Sequence, residues 1–184
     1  MYSAELAQKL VAKFPDAAIV ATPEKFVRDP SATVMVPAAR LREVCKFIKS
    51  DREFLMDLPN HMTAVDYIKD GQFELVYYFY STKVKKGLVL KSQVSRTNPS
   101  IDSVTDLWSG FDFQEREVYD LMGITFTGHP YLKCIMMWEG FPGYPLRKDY
   151  VHVTDKYDSG LEVGTPGLNE KGLPIVKKEE PHAN

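Results

Sequence analysis

The sequence feature that most restricts the fold is a pair of apolar runs joined by Asp70-Gly71. An Asp-Gly pair favours the left-handed backbone conformation of a tight hairpin turn. The run that follows, FELVYYFY, is apolar at both alternating sets of positions, which is typical of an interior strand covered on both faces. We therefore predict antiparallel strands over 62–69, 72–81 and 88–94.

Helical segments flank these strands. One amphipathic helix is predicted at the N-terminus and another over 39–49, with two short strands, 18–22 and 33–36, between them. The residues predicted to face inward are Leu6, Leu10, Val11 and Phe14 on the first helix, and Leu41, Val44, Phe47 and Ile48 on the second. Helices interleaved with hairpins predict an α+β fold, in which helices pack on an antiparallel or mixed sheet.

Composition and charge exclude several classes of protein. Hydrophobic residues form 44% of the 184-residue chain, which is enough for an ordered core, and a net charge of −2 gives no pull toward nucleic acid. No apolar run approaches the roughly 18 residues that cross a bilayer, and the N-terminus lacks the pattern of a signal peptide. We expect a cytoplasmic protein that reaches a membrane only through a partner.

The two cysteines, Cys45 and Cys134, lie far apart and form no Cys-x-x-Cys pair. Iron–sulfur clusters and structural zinc sites are usually held by several such ligands, so this chain alone is not expected to bind either group. We predict two reduced and mostly buried thiols.

The chain divides into three predicted regions. Residues 1–96 form the α+β domain, 97–138 a helical and loop segment packed on it, and 139–184 a loop and extended tail rich in glycine and proline. Such a tail buries too little apolar surface to order itself, so it is either disordered or laid along another protein. In the middle region, Ser103 with Asp106 and Asp112 with Glu115 fit the capping-box pattern of a helix start, and Gly123 fits a helix end.

The densest group of charges is Glu115, Arg116, Glu117 and Asp120. Acid–base catalysis by two carboxylates requires that they converge, but side chains two positions apart on a helix point about 200° apart. Arg116 lies one turn from both Asp112 and Asp120, which predicts a charged ladder. A solvated or interface-pairing charged face is therefore favoured over a catalytic pair.

Two further candidate sites lie in the following loops. His129 precedes a proline and has no second histidine at metal-ligand spacing, which favours a structural or surface role. Arg147 and Lys148 follow the aromatic, proline-bearing stretch WEGFPGYP, whose glycines lack a phosphate-binding pattern. Such a stretch is typical of an interface anchor. Taken by themselves, the residues indicate a binding or scaffold module.

The same segments carry a family resemblance. SVTDLW, EREVYDLMGITFTGHPYLKCIMM and PLRKDY, in this order, resemble the signature of the 30 kDa subunit, or C subunit, of respiratory complex I (NADH:quinone oxidoreductase). The matching positions are Glu115, Arg116, Glu117, Asp120, Leu121, Met122, His129, Lys133, Ile135, Met136 and Met137. The resemblance covers about residues 97 to 150 closely, and the N-terminal part is compatible with the α+β module of the family.

The resemblance implies a cofactor-free structural subunit in the peripheral arm of a proton-pumping enzyme, on the cytoplasmic face of the inner membrane. FMN and iron–sulfur clusters would lie in other subunits, and the implied partners are the D, B and I subunits of the complex. It implies no catalytic residue in this chain. Folding and inter-subunit contacts are the implied roles of the signature positions, which are Glu115, Arg116, Glu117, Asp120, His129, Lys133, Arg147, Lys148 and Asp149.

Two alternative functions remain open from the sequence. The chain could be the scaffold subunit of a related membrane-bound hydrogenase or of a ferredoxin- or plastoquinone-linked complex. It could also be an independent enzyme that uses Glu117 and His129. Neighbouring genes for hydrogenase subunits would favour the first alternative, and turnover by the purified chain would favour the second.

Overall fold

The structure, a computed structural model, describes residues 4–16, 19–20, 33–138 and 140–151, with 19–20 described by their backbone. Its helices and strands alternate along the chain. In order they are α1 (Ala4–Lys13), β1 (Ile19–Val20), β2 (Thr33–Met35), α2 (Ala38–Ser50), β3 (Leu58–Tyr67), β4 (Gln72–Ser81), β5 (Lys86–Ser95), β6 (Ser100–Asp102), α3 (Asp112–Met122) and β7 (Thr125–Thr127).

Within the described part of the chain, the main sheet has five strands in the order β1-β2-β5-β4-β3. All neighbouring strands are antiparallel except β2 and β5, which are parallel. A mixed sheet with helices packed on it confirms the predicted α+β class. A second, parallel pair joins β6 to β7 and was not predicted, because strands of three residues leave no readable alternation.

The predicted hairpin connects β3 to β4. Tyr67 pairs with Gln72, and the turn between them ends at Gly71, whose φ of 65° lies in the left-handed region. The first strand begins at Leu58, earlier than predicted, because β3 is at the edge of the sheet and an edge strand tolerates Pro59.

The core lies between one face of the sheet and the helices. Strand β4 places Tyr77 and Phe79 in contact with Phe111, whose ring meets both edge-on at 5.7 and 5.5 Å between centroids. Trp108 packs on Phe79 at 4.7 Å. The helices contribute the buried residues Leu6, Ala7 and Leu10 from α1, and Leu41, Val44, Cys45 and Ile48 from α2. The amphipathic faces predicted for both helices are thus largely confirmed, with Val11, Phe14 and Phe47 only half-buried.

The segment before α3 differs from the prediction. No helix begins at Ser103, since residues 105–107 form a turn, and a short 3₁₀ helix, Ser109–Phe111, then leads into α3. Helix α3 begins at Asp112 and ends before Gly123 as predicted, but no side chain caps its first turn. Gly123 has a φ of 70°, and an added Cβ would collide with Tyr144 and Arg147. The predicted capping boxes are therefore wrong, and the predicted helix end is confirmed.

Some predictions concern single residues or lie outside the described part of the chain. Cys45 is buried as predicted, whereas Cys134 is exposed, because it lies in the loop after β7 rather than in the core. Within the described ranges, no helix has both the length and the apolar character needed to cross a membrane. The predicted tail over 152–184 lies outside the described residues, and the division at 96 and 138 stays a prediction.

Candidate interface site built from the signature residues

Glu115 lies inside the protein. Its side chain has no solvent exposure, although it was predicted to lie on a charged outer face. Oε2 accepts the Ser103 hydroxyl at 2.6 Å, and Oε1 accepts the backbone N–H of Val104 at 2.9 Å. Burial raises the pKa of Glu115 to about 7, against the opposing effect of these two bonds. This carboxyl group fixes the turn that precedes α3.

Asp120 holds the loop that follows β7. Its Oδ2 atom accepts the backbone N–H groups of Ile135, Met136 and Met137 at 3.0, 2.8 and 3.0 Å. Burial opposes ionisation, but these three bonds and the thiol of Cys134 outweigh it, so the pKa of Asp120 lies below its usual value. Three successive N–H groups around one oxygen form an anion-binding concavity, which a carboxylate of the same chain fills here.

Arg116 forms part of the predicted ladder. Its guanidinium lies 3.9 Å from Asp112 and 5.2 Å from the centroids of both Phe113 and Tyr131. Its Nε atom also donates to the carbonyl of Lys133 at 3.1 Å. Asp120, the other predicted partner of Arg116, bonds the loop at 135–137. The predicted charged face is therefore wrong for Glu115 and Asp120, which are buried, and Glu117 is the exposed acid of this group.

His129 has a buried imidazole ring that holds the loop. Nδ1 accepts the backbone N–H of Tyr131 at 3.0 Å, and Nε2 lies 3.4 Å from the carbonyl oxygen of Asp112. Lys133 is exposed, and its Nζ lies 4.8 Å from the centroid of the Tyr131 ring. Both residues thus support the position of Tyr131.

Arg147 closes the C-terminal end of α3. Nε donates to the carbonyl of Met122 at 2.7 Å, which satisfies one of the carbonyls that a helix leaves unpaired at its end. The guanidinium lies 4.4 Å from the centroid of the Tyr144 ring and 5.2 Å from that of Phe73. Burial lowers the pKa of Arg147. A positive charge here also complements the helix dipole.

Lys148 and Asp149 attach the loop to the sheet. The backbone N–H of Lys148 donates to Oδ2 of Asp66 at 2.9 Å. Arg96 donates from Nη2 to Asp149 at 2.7 Å and bonds both carboxylate oxygens of Asp66, at 2.8 and 3.1 Å. The hydrogen bond from Arg96 lowers the pKa of Asp149. One arginine therefore joins a buried strand residue to the loop.

Asp66 and Arg96 were not predicted from the sequence. Asp66 pairs in register with the buried residue Phe73, so its side chain lies on the core side of β3. A charged residue at an inward position of a strand is the signal that could have found it, since such a charge needs a partner. The alternation around Val65 and Tyr67 left the inward face of this strand undecided, which hid the signal.

While Glu115 and Asp120 turn inward, large apolar side chains of the same segment face the solvent. Tyr131, Met136 and Trp138 are 55%, 58% and 62% exposed. Trp138 is braced by Phe141, at 4.7 Å between ring centroids and nearly perpendicular to it. We call Tyr131, Met136 and Trp138 the exposed trio. Exposed aromatic and methionine side chains on a well-held backbone are typical of protein interfaces.

The described ranges contain no group of three or more His, Cys, Asp or Glu side chains placed to hold a metal ion. Glu117 and His129, the two residues of the hypothesis of an independent enzyme, have different surroundings. Glu117 is exposed, and both ring nitrogens of His129 face groups of the loop and of α3. The arrangement supports loop positioning and surface recognition.

Comparisons with known proteins show the family of this chain. The family model described as "Respiratory-chain NADH dehydrogenase, 30 Kd subunit" matches residues 34–156. The C subunit of the NADH-quinone oxidoreductase of Roseiflexus sp. is 38% identical over 148 residues, covering 80% of this chain and 83% of its own. The corresponding protein of Geobacter metallireducens is 42% identical over 120 residues, covering 64% and 73%.

Two solved structures share the fold. A chain of the membrane-bound sulfane sulfur reductase, an archaeal respiratory membrane complex, superposes with a TM-score of 0.61 at 26% identity, over 80% of this chain and 84% of its own. The trypsin-resistant fragment (1-134) of Nqo5 gives a TM-score of 0.55 at 25% identity, over 70% and 97%.

Proposed function

The chain belongs to the family of the 30 kDa subunit of respiratory-chain NADH dehydrogenase, and on that premise we propose that it is a structural subunit of an NADH:quinone oxidoreductase. It lies in the peripheral arm of a proton-pumping complex I and supports electron transfer from NADH to quinone through contacts with the D and B subunits. The I subunit is a further neighbour. The membrane is reached through these partners, on the cytoplasmic face.

The observation that carries this proposal is that three charged signature residues bind backbone groups of their own chain. Glu115, Asp120 and Arg147 each bind backbone groups of a separate segment of the same chain. Asp120 fixes the loop that carries Met136, Glu115 fixes the turn before α3, and Arg147 attaches the following loop to the end of α3. Met136 and Trp138 have exposed side chains. A segment that uses its charged groups to shape a surface, and presents apolar groups on it, suits a scaffold.

We assign the nine signature residues to two roles. Glu115, Asp120, His129, Arg147 and Asp149 hold the loops in place. Arg116 and Lys133, which contact the Tyr131 ring, and the exposed side chains of Glu117 and Lys148 contact the neighbouring subunit. Partly exposed charged groups at the rim of an interface set its orientation more than its affinity.

Redox cofactors are assigned to other subunits. A cluster bound by four cysteines needs ligands that Cys45 and Cys134 do not supply, since Cys45 is buried on the inner face of α2 and Cys134 is exposed in a loop. FMN and the iron–sulfur clusters of the complex are therefore placed outside this chain, and no catalytic residue is assigned within it.

The test is purification of the full chain from native membranes in mild detergent through an N-terminal tag, with partners identified by mass spectrometry. The expected result is recovery with the B and D subunits and with NADH:quinone reductase activity in the eluate. Recovery of the chain alone from the soluble fraction would contradict the proposal.

A second candidate function follows from the sulfane sulfur reductase likeness. The chain would then be the scaffold subunit of a related membrane complex, such as a hydrogenase or a ferredoxin- or plastoquinone-linked enzyme. The same purification separates the two candidates, because the electron-input subunits in the eluate would belong to that complex and NADH would not be oxidised.

A further inference from the structure

Glu115 is one end of a short chain of buried oxygen atoms. Its Oε2 atom lies 2.6 Å from the Ser103 hydroxyl, which lies 2.8 Å from the Thr105 hydroxyl. All three side chains are buried. The remaining carboxyl oxygen accepts the N–H of Val104, and the Ser103 oxygen also accepts the N–H of Thr105 at 3.2 Å.

This chain of hydroxyl groups satisfies the carboxyl group in either protonation state. When Glu115 is ionised, Ser103 donates its proton to the carboxylate, and Thr105 donates to Ser103. When Glu115 carries a proton on Oε2, it donates to Ser103, and Ser103 donates to Thr105. Both hydroxyl groups rotate between these arrangements, since each has one donor and two acceptor sites. The two backbone N–H bonds are the same in both, so no hydrogen bond is lost.

The charged and titratable groups around Glu115 favour the neutral form. From α2, Arg42 approaches the segment but is engaged by the carbonyl of Ser103 and by the carboxylate of Asp106. Asp106 and Asp112 are negative and disfavour a further negative charge. Two further titratable groups interact with Glu115, and burial raises the pKa of both, so they carry no charge at neutral pH. They are the buried Cys45 thiol of α2 and the buried Tyr77 hydroxyl of β4.

We propose that Glu115, Ser103 and Thr105 form a proton-binding site, which holds one proton on the carboxyl group and exchanges it with solvent by reversing the hydroxyl chain. The carboxylate gains one O–H bond on binding and loses it on release, and each hydroxyl keeps one proton throughout. Because burial raises the pKa of Glu115 to about 7, both forms are populated at neutral pH. The proposal goes beyond the scaffold role and does not depend on it.

The test is a carbon-13 NMR titration of the full chain labelled at glutamate carboxyl carbons, from about pH 5 to about pH 9. One resonance is expected to titrate with a midpoint of about 7, and it should be missing from Glu115→Gln. Glutamine at 115 resembles the protonated acid and retains the bonds to Ser103 and Val104, so that variant is expected to fold. If every glutamate resonance has its midpoint below about pH 5, the proposal is overturned.

Two variants that each remove one hydroxyl group distinguish a hydrogen-bond chain that reverses from one that does not. In Thr105→Val the protonated form leaves the buried Ser103 O–H without an acceptor, whereas in the ionised form Ser103 loses one donor and still accepts the N–H of residue 105, so the midpoint should fall by about one pH unit. In Ser103→Ala both forms lose their bond to Ser103, and the bond to the ionised carboxylate is the stronger one, so the midpoint should rise. If the midpoint shifts in the same direction in both variants, or does not shift in Thr105→Val, the hydroxyl groups do not reverse.

Discussion

A single oxygen of Asp120 receives the backbone N–H of Met136 at 2.8 Å, at the centre of three such bonds. Asp120 belongs to the buried side of α3, and Met136 belongs to the exposed trio. The bond therefore connects the interior of the protein to the surface that we assign to a neighbouring subunit. Because the acceptor is charged, each of these bonds is stronger than one between neutral groups.

Replacing Asp120 should loosen this loop. Asp120→Asn removes the charge, and the three N–H groups then compete for a weaker acceptor, so the free energy of unfolding should fall by about 2 kcal/mol. Urea denaturation measures the change. Glu117→Gln, at an exposed position of the same helix, is the control and should change the value by less than about 0.5 kcal/mol. Equal losses in the two variants would contradict the assigned role.

The free energy of unfolding should depend on pH through Glu115. Its folded pKa of about 7 lies above the unfolded value of 4.5, so the folded state holds more protons between these limits. The contribution is therefore greatest at low pH and is lost as the pH rises through 7, by roughly 3 kcal/mol in total. Urea denaturation from about pH 5.5 to about pH 8 covers the later part of this decline, and it should show a loss of about 2 kcal/mol in the natural chain and none in Glu115→Gln.

Replacing Arg147 with alanine should lower the free energy of unfolding much more than replacing Lys148 with alanine. Arg147→Ala leaves the carbonyl of Met122 without its donor and removes the contact with Phe73, so we expect a loss of about 2 kcal/mol. Lys148→Ala should be nearly neutral, because its bond to Asp66 uses the backbone N–H. Thermal unfolding of both variants is the measurement, and a larger loss for Lys148→Ala would be inconsistent with this geometry.

Assembly should be sensitive to the exposed trio, and folding should not. Trp138→Ser is expected to reduce co-purification with the D subunit by at least about tenfold, since exposed tryptophans often dominate interface energies. Leu58→Ser, at a 44% exposed position on the edge strand β3, is the matched control and should assemble normally. Circular dichroism of both purified variants checks folding. Normal assembly of Trp138→Ser would remove Trp138 from the interface.

The periodic parts of the fold could be predicted from the sequence. Alternation and the Asp70-Gly71 turn predicted the β3–β4 hairpin, and the apolar spacing predicted α1 and α2. These signals are local, because each depends on residues within one or two turns of chain. The end of α3 at Gly123 was also predicted, since a glycine in the left-handed conformation is a local requirement.

The burial of Glu115 and Asp120 could not be predicted from the sequence. Charged residues on a helix are ordinarily placed in solvent, and the partners of Glu115 and Asp120 lie in the turn after Ser103 and in the loop at 135–137. Backbone N–H groups are present at every position except proline, so they leave no trace in the sequence. The same reason explains why Asp66 was missed, because one of its donors is the backbone of Lys148.

The parallel pairing of β2 with β5 has a consequence for the order of folding. Strands β3, β4 and β5 form successive hairpins from neighbouring segments, whereas Val34 of β2 pairs with Leu90 of β5, far along the chain. Contacts between distant segments form more slowly, since a long loop must close first. During synthesis, β2 therefore cannot join the main sheet until β5 has left the ribosome, and the hairpins of β3, β4 and β5 should be the first part of that sheet to form.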